Sequence, residues 1–220
     1  LYYSAGQGLK LGLGAAYKSN GVGFGLDFGY SMGFESDISK TKYYSTWDST
    51  WNTSTGKMKT SYIFVSPNIT VEKAMGGLTP FCTAGLTVAI APKSIGTYES
   101  ETSEMETEIT HNIGFGGYGV VGVRYDMPGG LGIVGQVRMD QLAFKAKHSE
   151  VTKYTIDGED QMADWTTRDK ETDYEDDDTA DDPSDDDSPE IQNTFVTPAN
   201  SFSVMVAIVY TFGGGGGYRR

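Results

Sequence analysis

From Val22 to Phe34 every second residue is large and apolar: Val22, Phe24, Leu26, Phe28, Tyr30, Met32 and Phe34. Between them stand Gly23, Gly25, Asp27, Gly29, Ser31 and Gly33. Side chains of an extended strand point alternately to opposite faces, so this stretch predicts a ribbon with one bulky hydrocarbon face and one small, polar face. A helical period would scatter the same residues around the axis. The pattern therefore predicts a strand, and the open matter is which face turns inward.

The alternation recurs along the chain. Leu9, Leu11, Leu13, Ala15 and Tyr17 share one phase, as do Ile63, Val65, Ile69 and Val71, and then Leu86, Val88 and Ile90. Further runs carry Ile113, Phe115, Val121, Val123 and Tyr125, then Leu131, Ile133, Val137 and Met139, and finally Phe202 to Phe212. Seven strands result. Their connections alternate in length, short at 19–21, 74–79 and 127–130 and long at 35–57, 92–109 and 149–195. An up-and-down meander with tight turns at one end and long loops at the other accounts for this order. The apolar phase slips at Leu142 and Phe144, which predicts a bulge near Gln141.

Orientation follows from the small face. In a soluble sheet the wet face would carry Gly23, Gly25, Gly29 and Gly33, which weaken a strand and offer water almost no charge. Turned outward into hydrocarbon, the large residues meet acyl chains, and glycine makes room inside for a few long polar side chains. Thirteen residues at about 3.3 Å each, tilted near 40°, rise about 33 Å, enough to cross an apolar band about 25 Å tall. Tyr17, Phe34, Tyr125, Tyr210 and Phe212 lie near strand ends, where interfacial aromatics belong. A soluble lipocalin-like barrel would show the same alternation with the opposite face inward.

Charge is concentrated in one place. Residues 157–190 hold 17 of the 30 acidic residues against Arg168 and Lys170, so the rest of the chain carries 15 basic and 13 acidic side chains. No basic surface for nucleic acid is expected from either part. One cysteine, Cys82, allows no internal disulfide.

Several segments resemble a known family. "GGLTPFCTAGLTVAIA", "GVVGVRYDMPGGLGIVGQVRMDQLAFK" and the terminal Tyr210-Thr211-Phe212 are similar to segments of OmpA-like and OmpW-like small outer-membrane β-barrels of Gram-negative bacteria, a porin-type family. The likeness covers roughly residues 58–148 and 200–212. It implies an all-β, antiparallel, up-and-down transmembrane barrel of about eight strands, with short periplasmic turns and long extracellular loops, in the bacterial outer membrane. Residues 1–212 would form the barrel, with an acidic extracellular loop at about 149–195. Residues 213–220 would be a glycine-rich periplasmic tail or linker. Seven strands leave an odd number, so an eighth is expected before Leu1 or partly within Leu1–Gln7, or else from a hairpin inside 35–57.

The inward phase supplies Lys10, Lys18, Arg124 and Arg138 against Asp27, Glu72, Asp126 and Asp140. In an interior only wide enough for side chains, such groups must pair, and a salt-bridged plug is expected. The alternative is a narrow channel or small-molecule-binding barrel. A lipid-modifying enzyme at the rim is a third reading, with His111 and His148 as the two histidines available. His148 and Ser149 are chain neighbours on a strand and point to opposite faces, and His111 has no obvious orienting acid, so no catalytic set is assigned.

The acidic insertion lacks the spacing of a calcium loop. It gives only diffuse divalent-cation candidates, Asp176, Asp177, Asp178, Asp181, Asp182, Asp185, Asp186 and Asp187, for loosely bound Ca²⁺ or Mg²⁺. No cofactor is expected. Partners are outer-membrane lipid and lipopolysaccharide, with a membrane or cell-surface protein as a further partner. Trp47 and Trp51 are candidates for a docking patch. The function expected is non-enzymatic: structural, or interaction through exposed loops.

Overall fold

A computed structural model describes residues 8–45, 50–176 and 185–212. These form a single thirteen-stranded sheet with one four-residue helix, α1 (Thr167–Lys170). Seven strands make the lower storey: β1 (Gly8–Ser19), β2 (Val22–Gly33), β4 (Thr50–Glu72), β5 (Leu78–Glu99), β7 (Gly114–Asp126), β8 (Leu131–Ile156) and β13 (Ser201–Tyr210). They are the seven read from the sequence, and each pairs antiparallel with the next in that order.

The long connections are not loops throughout. β4, β5 and β8 continue past the lower storey and pair with β3 (Ser36–Ser45), β6 (Ser103–His111), β9 (Glu159–Asp160) and β10 (Glu171–Glu175), and β11 (Glu190–Asn193) adds in parallel to β10. β12 (Val196–Pro198) pairs with β8 just ahead of β13. The expected count of about eight is thus exceeded. The added strands are rich in Thr, Ser, Lys and Glu, and even β6, where Glu104, Glu106 and Glu108 alternate with Met105 and Ile109, carries too few apolar residues to announce itself, although threonine suits a strand. A hairpin does form inside 35–57, but β3 pairs only with the upper part of β4 and adds nothing to the lower storey.

The sheet is rolled. The Lys10 ammonium on β1 reaches Asp140 on β8 at 2.8 Å, although β2, β4, β5 and β7 lie between those strands in the sheet. Laid flat at about 4.8 Å per strand, the two would stand roughly 24 Å apart. Register contributes the tilt. The cross-strand row that starts at Ser19, the end of β1, passes through Val22, Val71, Cys82, Val121 and Val137. It reaches β13 at Val204, in mid-strand, and such a stagger goes with strands inclined to the axis of the roll.

Both β1 and β13 run toward the tight turns, so they are parallel to each other, and among the described residues no strand pairing joins them. The first tight turn places Asn20 and Gly21 both at positive φ, the twist a two-residue hairpin needs.

The apolar face points out. Phe24, Leu26, Val206 and Ile208 are 62%, 52%, 79% and 77% exposed, while Gly23, Gly29, Tyr118, Arg138 and Asp140 are buried. The expected bulge near Gln141 is absent. Leu142 continues the inward phase of Arg138 and Asp140 and pairs with Gly116 in unbroken register. Its hydrophobicity misled the reading because the interior itself turns apolar at that height. The irregularities lie higher, between Ala146 and His148 on β8 and at Ala91 on β5, where φ is +49°.

Candidate functional site

All eight inward charges predicted from the sequence meet in the interior, in two groups of four. The upper group sits on Asp140, whose side chain is fully buried. Lys10 Nζ donates to Oδ2 at 2.8 Å, and Arg138 donates Nε and Nη2 to Oδ1 at 2.9 and 2.7 Å. The Arg138 guanidinium stacks 3.6 Å from the ring centre of Tyr118. The Tyr118 hydroxyl donates to Asp27 at 2.9 Å, and Asn68 donates to the same carboxylate oxygen at 3.1 Å. Two cations and two anions leave the group neutral, as burial of charge requires.

The lower group lies near the tight turns. Glu72 accepts from Lys18 and from Arg124, the latter at 3.0 Å. Arg124 also donates to Asp126 at 2.6 Å, and Thr79 donates to that carboxylate at 2.9 Å. This group is neutral as well. It is wetter: the Asp126 side chain is 42% exposed, against none for Asp140.

Glycine makes these clusters possible. A Cβ on Gly29 would run into the Leu11 carbonyl and the Phe64 ring, and one on Gly85 into the Tyr118 ring. Phe64 then carries both cations of the upper group, with Lys10 at 5.4 Å and Arg138 at 5.6 Å from its centre. Above the upper group the interior becomes apolar, with Tyr62, Phe64, Ala89, Leu142, Phe144 and Ala199 packed together. Tyr118, Asn68 and Phe64 were not singled out from the sequence. The signal available was the inward phase of β7 and β4, which alternates a few bulky residues with glycine and serine.

The two histidines part company. His111 is buried, with its Nε2 2.9 Å from Ser94 Oγ, which in turn lies 2.9 Å from Thr60 Oγ1. Its Nδ1 has no partner, and burial pushes the imidazole down to about 4, so the ring is neutral at pH 7. Ser94 is fully buried and no acid orients the ring, so the pair lacks access and lacks the third member of a relay. His148 does find an acid, Asp173 Oδ1 at 2.7 Å from Nδ1. That partner arrives from β10 and was not foreseen. Ser149 points the other way, to the Tyr174 hydroxyl at 3.0 Å.

Of the acidic candidates, Asp176 binds Lys145 at 2.8 Å, and Asp185, Asp186 and Asp187 are exposed. Asp177, Asp178, Asp181 and Asp182 lie outside the described residues, as do Trp47, Leu1–Gln7 and 213–220. Among the described residues, no three His, Cys, Asp or Glu side chains gather as a metal site. Trp51 is exposed.

These features define an inside-out rolled sheet: hydrocarbon on the outer face, paired charges and glycine within. No family model, curated protein or solved structure matches the chain.

Proposed function

We propose that this chain is a bacterial outer-membrane β-barrel of the OmpA-like and OmpW-like kind, non-enzymatic, with a plugged interior and a structural or surface-interaction role. One observation carries the reading: the outward face changes character at one level on the strands that pass through it. Below that level β4, β5, β8 and β13 present Ile69, Leu86, Val137 and Val206; above it β4, β5 and β8 present Lys59, Lys93, Lys145 and Glu150. A soluble protein has no use for a contiguous apolar surface of that extent, whereas a bilayer requires one.

In this reading the belt strands close into a barrel of eight, because β1 and β13 run parallel and one strand antiparallel to both fits the seam between them. The upper storey then stands in the medium and offers its loops to a membrane or cell-surface protein, and lipopolysaccharide surrounds the belt.

The experiment is refolding into phosphatidylcholine bilayers followed by single-channel recording. The plug predicts insertion without a steady conductance. An ohmic step that changes in Arg138→Ala would instead make the chain a narrow channel, and failure to insert at all would overturn the membrane reading.

A further inference from the structure

The level at which the outward face changes has a sign. On β4 the outward residues above Ile63 are Ser61 and then Lys59; on β5 the first ionisable outward residue above Ile90 is Lys93. On β8, Met139 is followed by Gln141, Ala143 and Lys145, with Lys147 exposed at the bulge. The glutamates stand a row farther from the belt: Glu108 pairs with Ile95, beyond Lys93, and Glu150 pairs with Glu108. Ser61 faces Lys93 and Lys59 faces Ile95, so the two lysines are diagonal neighbours about 7–8 Å apart at Cα. Thr110 and His148 continue that row and place Lys147 two strands from Lys93.

The arc is confined to one rim. At the tight-turn end the same strands end on Val71, Leu78 and Leu131; among the described residues Lys73 is exposed there, while Lys18 and Arg124 turn inward onto Glu72. On the far side of the upper rim the chain leaves β2 through Phe34 into Glu35 and Asp37. The arc is also available. Lys59 and Lys147 make no ion pair among the described residues. Lys93 bridges Glu108 and Lys145 bridges Asp176, with lysine side chains 44% and 50% exposed. Exposed bridges of this kind are weak and exchange readily for a better anion.

Resting on the membrane reading, we infer that Lys59, Lys93, Lys145 and Lys147 form a docking site for the phosphates of a phosphorylated glycolipid, lipopolysaccharide in chemistry, in the leaflet on the long-strand side. Lysine suits the task, since its aliphatic stem lies along the hydrocarbon boundary while the ammonium reaches the headgroup layer. Each cation held at an anionic lipid surface strengthens binding severalfold, so four on one rim distinguish a phosphorylated leaflet from a neutral one.

The test compares the full chain with a quadruple variant, Lys59→Ser, Lys93→Ser, Lys145→Ser and Lys147→Ser, and with Lys73→Ser as the opposite-rim control. Insertion into phosphatidylcholine vesicles is measured first, by protease protection, and binding of fluorescent lipopolysaccharide second. The inference predicts equal insertion by all three chains, at least about tenfold weaker lipopolysaccharide binding by the quadruple variant, and no loss in the control. Dephosphorylated lipopolysaccharide should bind all three alike. Equal binding by wild type and quadruple variant, or indifference to phosphate, overturns the arc while leaving the barrel standing. Competition by phosphatidylglycerol as strong as by lipopolysaccharide overturns the assignment to a glycolipid. Failure of the wild type to insert overturns both readings together. Should the quadruple variant alone fail to fold, the double variant Lys59→Ser, Lys147→Ser, which breaks no ion pair, carries the same comparison with a severalfold loss expected.

Discussion

The two halves of β8 differ in almost everything except backbone. From Leu131 to Met139 its outward residues include Leu131, Ile133, Val137 and Met139; from Lys145 onward they include Lys145, Lys147 and Glu150. The inward residues change in the opposite sense, from the buried Arg138 and Asp140 to Leu142, Phe144 and Ala146. Both halves alternate, with one slip between Ala146 and His148, so alternation alone reports geometry and says nothing of solvent. What tells the halves apart is which face receives the bulk, and that is set by the medium each half must satisfy.

The sharpest way to break this comparison is inside, where charge is buried deep in one group and wet in the other. Asp140→Ala strands Lys10 and Arg138 without their carboxylate and is expected to cost about 3–5 kcal/mol in urea unfolding. Asp126→Ala, at the half-exposed mouth, should cost about 1 kcal/mol or less. Similar losses would mean that the two groups share one environment.

On the outer face, Val206→Arg in mid-belt should cost about 2–4 kcal/mol in bilayers. Thr97→Arg, on the outward face of the upper storey, should stay within about 0.5 kcal/mol. Glycines make the next contrast. Gly85→Ala drives a methyl into the Tyr118 ring and is expected to cost about 1–3 kcal/mol, whereas at the outward Gly135 nothing lies within 4 Å and alanine should be neutral or slightly stabilising.

The smallest effect is acid dependence at the boundary of the storeys. The unfolded chain protonates His111 near pH 6.5, but the folded chain does so only near 4. Acid therefore favours unfolding between those values, and this contribution is complete above about pH 6.5 and lost as pH falls toward 4. The stability difference between wild type and His111→Gln, measured in urea at pH 7 and pH 4.5, should shift in favour of the variant at the lower pH. A difference that does not move with pH would contradict it.

Much of the lower storey was legible because two faces of contrasting size repeat with period two, and the eight inward charges fell out of the same phase. The upper storey was not: Thr50–Thr60 carries polar residues on both faces, and Ser103–His111 sets Glu104, Glu106 and Glu108 against only Met105 and Ile109, too little hydrocarbon to mark a strand face. Leu142 and Phe144 were misread for the converse reason: the interior is apolar at their height, while the outward Gln141, Ala143 and Lys145 no longer mark a hydrocarbon face. The contact of His148 with Asp173 depends on β10 pairing with β8, and the anchoring of Asp27 by Tyr118 on strands brought together by the roll; spacing along one strand reveals neither.

The account stands on the outer face being solvated by acyl chains, and the chain carries its own reporter. Cys82 is the single cysteine and is exposed on the outward side of β5, in the same cross-strand row as Val71 and Val121. An environment-sensitive fluorophore on Cys82 in refolded vesicles should be quenched by lipids carrying a nitroxide on the acyl chain and ignored by aqueous iodide. The same probe at Lys59→Cys, in a Cys82→Ser background, should behave the opposite way. Quenching of the Cys82 probe by iodide, with no response to the nitroxide lipids, would contradict the orientation.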